Sequence, residues 1–349
     1  MLIAALRDMQ WRKRRFIIAV LSTAIIFAMT LVLTGLANGF RVEAERTVDA
    51  LGVDTFLVKA GASGPFVGAT PFAPTDLQRI AALSGVDTAA PLAYAGGTIT
   101  EGESTRNANL FGAPEDGPGM PDTVEGRAPA TPDEVAVSSS LKRQVGDDIE
   151  IASTTLRIVG IVENSTALAN LPNIFFTTRG AQDLVYGGQP LVASIGIRGE
   201  IDDVPDGLRA FDRDGAVADL MRPLKVAVDA ITIVAVLLWI VAALIVGSVI
   251  YLSALERLRD FAVFKAIGVP TRDVAAGLAM QSVIVAMLAA GVGVVLSKML
   301  APLFPMQVIV PGEAFVALPV LAVVIGLVAS ATGLHRAVSV DPALAFGGP

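Results

Sequence analysis

No cysteine occurs in the 349 residues, which excludes disulfides and thiolate metal sites and leaves any water-exposed domain to be held by its own core. The single histidine, His335, has no ligand-spaced partner and reads as structural. There is no Gly-x-x-x-x-Gly-Lys-Ser/Thr phosphate loop, so the chain does not hold ATP in that manner. Neither a Gly-x-Ser-x-Gly elbow nor a His-Glu-x-x-His pair is present, and nothing points to an enzyme. Charge is missing from four long stretches, 16–40, 230–255, 274–297 and 314–334. With no ionisable group inside them, an intramembrane proton or ion relay has no support.

Those stretches are long enough to cross a hydrocarbon core of about 30 Å. Hydrophobic residues make up 53% of the chain and the mean hydropathy is +0.65, too low for a chain that is membrane throughout. The expected order is a cytoplasmic segment 1–15, spans at 16–38, 225–255, 274–298 and 314–334, an extracytoplasmic domain with stalk at 39–224, an inner segment 256–273, an outer loop 299–313 and a tail 335–349. The first span stays apolar well beyond the 7 to 15 residues usual for a cleavable core, and reads as a retained anchor. Arg7, Arg12, Lys13, Arg14 and Arg15 precede it, while Arg257, Arg259, Lys265 and Arg272 separate spans two and three. The loop 301–313 has no Lys or Arg, so the basic residues predict N-in, C-in topology. Arg12 to Arg15 read as a headgroup anchor in the lipid bilayer, with Trp11 in the interfacial belt.

Residues 39–224 carry 14 Lys plus Arg against 26 Asp plus Glu, an acidic domain on a basic inner rim, which excludes nucleic acid as a partner. Helical periodicity from Phe40 to Leu51 predicts that the first span continues outward as a stalk. A strand is expected at 54–59, a Gly-, Pro- and Phe-rich loop at 61–74, with Phe66 and Phe72 tucked into the fold, and a helix capped by Thr75 and closed by Gly85. Further strands are expected at 86–94, 109–112, 134–137, 148–152, 156–162, 173–177 and 192–197, giving a mixed α/β domain.

Glu256-Arg-Leu-Arg-Asp-Phe-Ala-Val-Phe-Lys-Ala-Ile-Gly268 joins spans two and three with no polar linker. Charges cost about 2.5 to 3.5 kcal/mol each at mid-bilayer, so this segment belongs at an interface. Helical spacing groups Leu258, Phe261, Ala262 and Lys265, with Phe264 and Ile267 on the adjacent face, and the two phenylalanines suit a partner's groove. Glu256 with Arg259 and Asp260 has the spacing of stiffening charge pairs. Gly268-Val-Pro270 reads as a helix stop, and Thr271 with Asp273 as the opening of span three. Gln281 is expected to hydrogen-bond across a helix interface.

The segments Glu125-Gly-Arg-Ala-Pro-Ala-Thr-Pro-Asp-Glu-Val-Ala-Val-Ser-Ser-Ser-Leu141, Val145-Gly-Asp-Asp-Ile-Glu-Ile151 and Leu156-Arg-Ile-Val-Gly-Ile-Val162 resemble the outer domain of FtsX-like permeases of the MacB type. The 256–268 segment is similar to that family's cytoplasmic signature, and Val340-Asp-Pro-Ala-Leu-Ala-Phe346 to its terminal tail. The resemblance implies an α-helical membrane protein of four transmembrane helices with a mixed α/β extracytoplasmic domain of the MacB-like periplasmic core type. It implies a non-enzymatic ABC transporter permease, homodimeric in a 2+2 complex, driven by a cytoplasmic ATPase that binds ATP and Mg. Glu256, Arg257, Arg259, Phe261, Phe264, Lys265 and Gly268 would couple to that ATPase. Export is the expected direction, with import of a small solute left open. An FtsX-type regulator of a cell-wall hydrolase is the competing reading, and an extracytoplasmic adaptor or hydrolase a further partner. A receptor with no ATPase would leave the inner segment without a use. The outer domain is short for a tripartite exporter and the tail ends in Gly-Gly-Pro, which argues against an outer-membrane duct.

Overall fold

A computed structural model describes residues 11, 13–101, 104–201, 203–256, 263, 268 and 270–338. The chain divides into a membrane unit, 1–38 with 227–349, and a sheet domain, 39–226.

Among the described residues four helices are long and apolar enough to cross a membrane. Three of them lie along α1 (Lys13–Ala50), α6 (Thr271–Leu300) and α7 (Gly312–Val338). The fourth is α5 (Lys225–Glu256), entered from α4 (Arg213–Met221) through a 3-10 turn at Arg222–Leu224. Phe16, Phe27 and Leu31 of α1, Val246 and Ile250 of α5, Val285 of α6 and Ile325 of α7 share one buried cluster with many alanines. Small side chains there let helix backbones approach closely, which is how helices associate where lipid tails are as apolar as leucine. Gln281 and Ser282 are buried, and the Ser282 hydroxyl turns back to the Leu278 carbonyl at 2.9 Å. The link between α6 and α7 is pinned to α1 by Asn38 Nδ2 to the Ile309 carbonyl and Ile309 N to the Gly35 carbonyl, both 2.9 Å.

The sheet domain runs β1 (Thr55–Lys59), α2 (Leu77–Ala81), β2 (Val86–Glu101), β3 (Ser104–Ala113), β4 (Glu125–Gly126), β5 (Glu134–Ser138), β6 (Asp148–Ile151), β7 (Thr154–Val162), β8 (Thr166–Ala167), β9 (Leu171–Thr177), α3 (Thr178–Val185), β10 (Ser194–Gly199) and β11 (Leu208–Asp212), followed by α4. The path is β11-β1-β10-β2-β3-β9-β5-β7-β4, and β6 pairs both β7 and the far end of β2. The strands β2-β3-β9-β5-β7-β6 therefore close on themselves, removing the open edges that strands otherwise expose. Ile99, Val135, Ile149, Ile158, Ile174 and Phe176 belong to the buried cluster of this ring. β2 changes partner within its length, pairing β10 up to Leu92 and β3 from Ala93 onward.

A second cluster joins Ala44 and Val48 of α1, Leu51 just past its end, and Val217 and Leu220 of α4 to Phe56, Phe66, Phe111 and Phe175. Phe66 is buried, in edge contact with Phe56 and Tyr94 at 5.4 Å, and Phe72 bridges to Val192. Both rings are thus taken up by the fold. Three local expectations change. Asp76, not Thr75, precedes α2, and its side chain makes no cap bond. β2 runs on to Glu101 where an end near Tyr94 was expected, and α3, β11 and α4 were not anticipated.

Candidate coupling site

Among the residues expected to meet an ATPase, Glu256 and Gly268 fall within the described residues, whereas Arg257, Arg259, Phe261, Phe264 and Lys265 lie outside them. So do the expected partners of Glu256, Arg259 and Asp260. Glu256 ends α5 and meets Arg15 Nη1 of α1 at 3.1 Å, while Arg15 Nη2 donates to the Val249 carbonyl at 2.6 Å. Arg15, one of the basic residues expected at the lipid headgroups, thus ties the ends of two membrane helices. Because Glu256 is half exposed the ion pair adds under about 1 kcal/mol, so its effect is on helix register more than on stability. Gly268 has φ +88, a left-handed conformation that side chains disfavour, with open space where a Cβ would project. Extended Pro270 then precedes α6, whose first turn carries Asp273. Thr271 is the first helical residue and not the cap.

In the sheet domain, α1 residues 43 and 47 share one helix face. Thr47 Oγ1 donates to the Thr166 carbonyl (3.0 Å), and Glu43 Oε2 accepts from Asn170 N (3.0 Å). These two bonds hold the β8–β9 hairpin, whose Leu168, Ala169 and Asn170 have φ of 54°, 67° and 69°. Consecutive left-handed residues without glycine cost about 1–2 kcal/mol each and persist only where surrounding contacts impose them. From Thr47 a buried polar string runs inward. Asn173 Nδ2 donates to Thr47 Oγ1 (3.0 Å) and Ser165 Oγ (3.1 Å). Asn109 Nδ2 donates to Asn173 Oδ1 (2.9 Å), and Tyr94 OH to Asn109 Oδ1 (3.2 Å). Burial, and secondarily the charge of Asp219, lifts the Tyr94 phenol, keeping it a neutral donor.

α4, the helix leading into α5, is held as firmly. Arg213 forks onto Asp49 of α1 at 2.5 and 2.8 Å, a bidentate geometry that fixes orientation. Asp219 has a fully buried side chain, accepts from Phe66 N (2.7 Å) and Gly68 N (3.0 Å), and pairs with Arg222 at 3.1 Å. Arg222 also reaches the hydroxyl and carbonyl of Ser63. These were missed in the sequence because their partners stand far apart along the chain; the legible trace is the Asp219–Arg222 spacing of i,i+3. Elsewhere, Arg127 forks onto Glu134, which also accepts from Ala130 N, and these bonds hold the Glu134 carboxyl down at about 2. Both residues belong to the 125–141 segment, and the fork closes the turn between β4 and β5.

Four membrane helices with a mixed sheet and helix domain inserted after the first define a multi-pass permease architecture. Residues 16–201 match the MacB-like periplasmic core domain and residues 232–342 the FtsX-like permease C-terminal domain. An uncharacterized ABC transporter permease of Mycobacterium bovis is 69% identical over 349 residues, all of both chains, and one of Mycobacterium tuberculosis is 65% identical over the same extent. The chain belongs to the FtsX-like, MacB-type family of ABC transporter permeases. Among solved structures, the periplasmic region of MacB from Actinobacillus actinomycetemcomitans is 15% identical, covers 47% of this chain and 91% of that one, and has a TM-score of 0.34. The extracellular domain of the noncanonic transporter YknZ from Gram-positive bacteria is 12% identical, covers 46% and 99%, and has the same TM-score, 0.34.

Proposed function

We propose that this permease couples ATP hydrolysis by a separate cytoplasmic ATPase to movement of its sheet domain, and that the movement exports a substrate. The observation that carries the reading is that α1 runs unbroken, and α4 enters α5 through only the 3-10 turn at Arg222–Leu224, from residues of the sheet domain to residues of the membrane unit, and that within the domain Asp49 and Arg213 bind α1 to α4. A continuous helix transmits displacement, whereas a flexible linker would absorb it. Glu256, Arg257, Arg259, Phe261, Phe264, Lys265 and Gly268 form the contact with the ATPase, which alone binds ATP and Mg. The permease works as a homodimer with two ATPase copies, in a bacterial cytoplasmic membrane, N-in and C-in, with the sheet domain outside.

Capture of the ATPase by the detergent-solubilised chain tests this. Phe261→Asp with Phe264→Asp should abolish capture, and unchanged capture removes the contact assigned to those rings. Gly268→Val should leave the chain in the membrane but remove its stimulation of ATP hydrolysis, since a β-branched residue disfavours φ +88. A tag at 256–273 that proves accessible only from the side opposite the ATPase would overturn the reading altogether.

A further inference from the structure

The loop from Gly61 to Pro74 is glycine-rich for a reason visible at Asp219. A Cβ on Gly64 would overlap the Asp219 carboxyl, and one on Gly68 would crowd Arg222, Ser63 and Asp219 together. The loop is thus wrapped around a buried carboxylate, which accepts two of its backbone N–H groups. It is also closed on itself, Ser63 N donating to the Gly68 carbonyl at 3.0 Å. Its apolar payload is Pro65 and Phe66, whose ring lies between Phe56, Tyr94 and Phe111 at 5.4 to 5.8 Å. Beneath Phe66 lies a cavity with room for about one water, walled by Leu51, Leu92, Tyr94 and Phe111 and by Ser194. Ser194 is 1% exposed and its hydroxyl has no hydrogen-bond partner. An unsatisfied buried hydroxyl costs about 1–3 kcal/mol, and Ser194 lines this cavity, so an incoming atom able to hydrogen-bond to it would relieve that cost.

We infer that the 61–74 loop is a lid over an apolar binding pocket, with Phe66 as its plug and the Asp219–Arg222 pair as its latch. The pocket takes the apolar end of an amphiphile, a ring or branched chain bearing one hydrogen-bonding atom for Ser194. Lifting the loop withdraws the Phe66 ring and joins its volume to the void below. Asp219 and Arg222 stand immediately before α5, so a shift of that helix acts directly on the latch; this last link rests on the coupling reading above, and the pocket does not.

The test uses the full chain in detergent, with 4-fluorobenzyl alcohol as probe, its binding followed by 19F NMR against empty micelles. Asp219→Asn removes the charge that strengthens both N–H bonds and should tighten probe binding about tenfold or more while speeding amide exchange at Phe66 and Gly68. Gly68→Ala, which loosens the latch from the lid side, should do the same. Ser194→Leu fills the void and should abolish binding in either background. Slow amide exchange at Ile174 and Phe175 certifies that each variant is folded. Binding indifferent to Ser194→Leu, or unchanged by both latch variants, overturns the pocket. If the variants behave as stated but adding ATPase and ATP leaves probe affinity constant, the pocket stands and the coupling of its lid to α5 falls.

Discussion

Asn173 is the residue at which the hold on α1 meets the closed sheet, and Asn173→Leu isolates its energetic weight. Leucine has nearly the same volume, so packing changes little and the loss is polar. Asn109 Nδ2, on a residue 1% exposed, loses its acceptor and has no water to replace it. Thr47 keeps its bond to the Thr166 carbonyl, and Ser165 lies near enough to the surface to find water, so both lose less. One fully orphaned donor at about 1–3 kcal/mol, with a fraction of that from the other two, gives a net cost of about 2–4 kcal/mol. At 1.4 kcal/mol per decade this is an increase of roughly 30- to 1000-fold in exchange of the β9 amides. Tryptophan fluorescence cannot report it, because Trp11 and Trp239 both lie in the membrane unit; hydrogen exchange at Ile174 and Phe175 in the full chain can. Asn109→Leu added to Asn173→Leu removes both partners, and the pair should cost at least about 1 kcal/mol less than the sum of the single changes. A single-change cost below about 1 kcal/mol, or strict additivity, would refute the claim that these amides form one string.

Glu134 is held at about 2, below the usual 4.5, by Arg127 and by backbone N–H groups. Its folded pKa is depressed, so its contribution to stability is complete above pH 4.5 and lost as pH falls towards 2. Thermal unfolding of wild type and Glu134→Gln should therefore differ most above pH 4.5 and converge near pH 2, and a constant difference would contradict the pair. Arg213→Lys keeps the charge but loses the fork onto Asp49; it should leave membrane insertion and ATPase capture intact while lowering stimulated ATP hydrolysis several-fold, and full stimulation would deny the clamp a role in coupling. Arg15→Gln should weaken the register of α1 on α5, detected as a broadened distance distribution between spin labels on cysteines engineered at the exposed positions Leu21 and Leu252; an unchanged distribution would mean the Glu256 contact positions nothing.

What could be read from the sequence is what local pattern encodes. Four uncharged runs set the membrane helices, because no other composition is stable in hydrocarbon, and alternation located most of the closed sheet. The two helices that escaped share a cause. α3 and α4 each hold a glycine in the first turn, Gly180 and Gly215, and in sequence Thr-Arg-Gly and Asp-Arg-Asp-Gly look like turns. At that position the decisive group is the backbone N–H: Thr177 Oγ1 accepts from Gly180 N at 3.0 Å and Asp212 Oδ1 from Gly215 N at 2.8 Å. The residue that reads as a breaker in mid-helix is tolerated at the N-terminus, where the cap and not the side chain decides. β2 runs past its expected end for a similar reason: Gly96-Gly97 suggests an end, yet the strand continues because β3 pairs it from Ala93 to Glu101 and β6 pairs it near its tip. The grips on α1 and α4 were hidden more deeply. Asp49 and Arg213 stand 164 positions apart, as do no pairs that helical or strand periodicity can connect, and the fork between them exists only once the sheet has brought both helices to one side. Local rules therefore recover the membrane helices and most of the sheet, while the bonds linking helix to sheet are a property of the assembled domain.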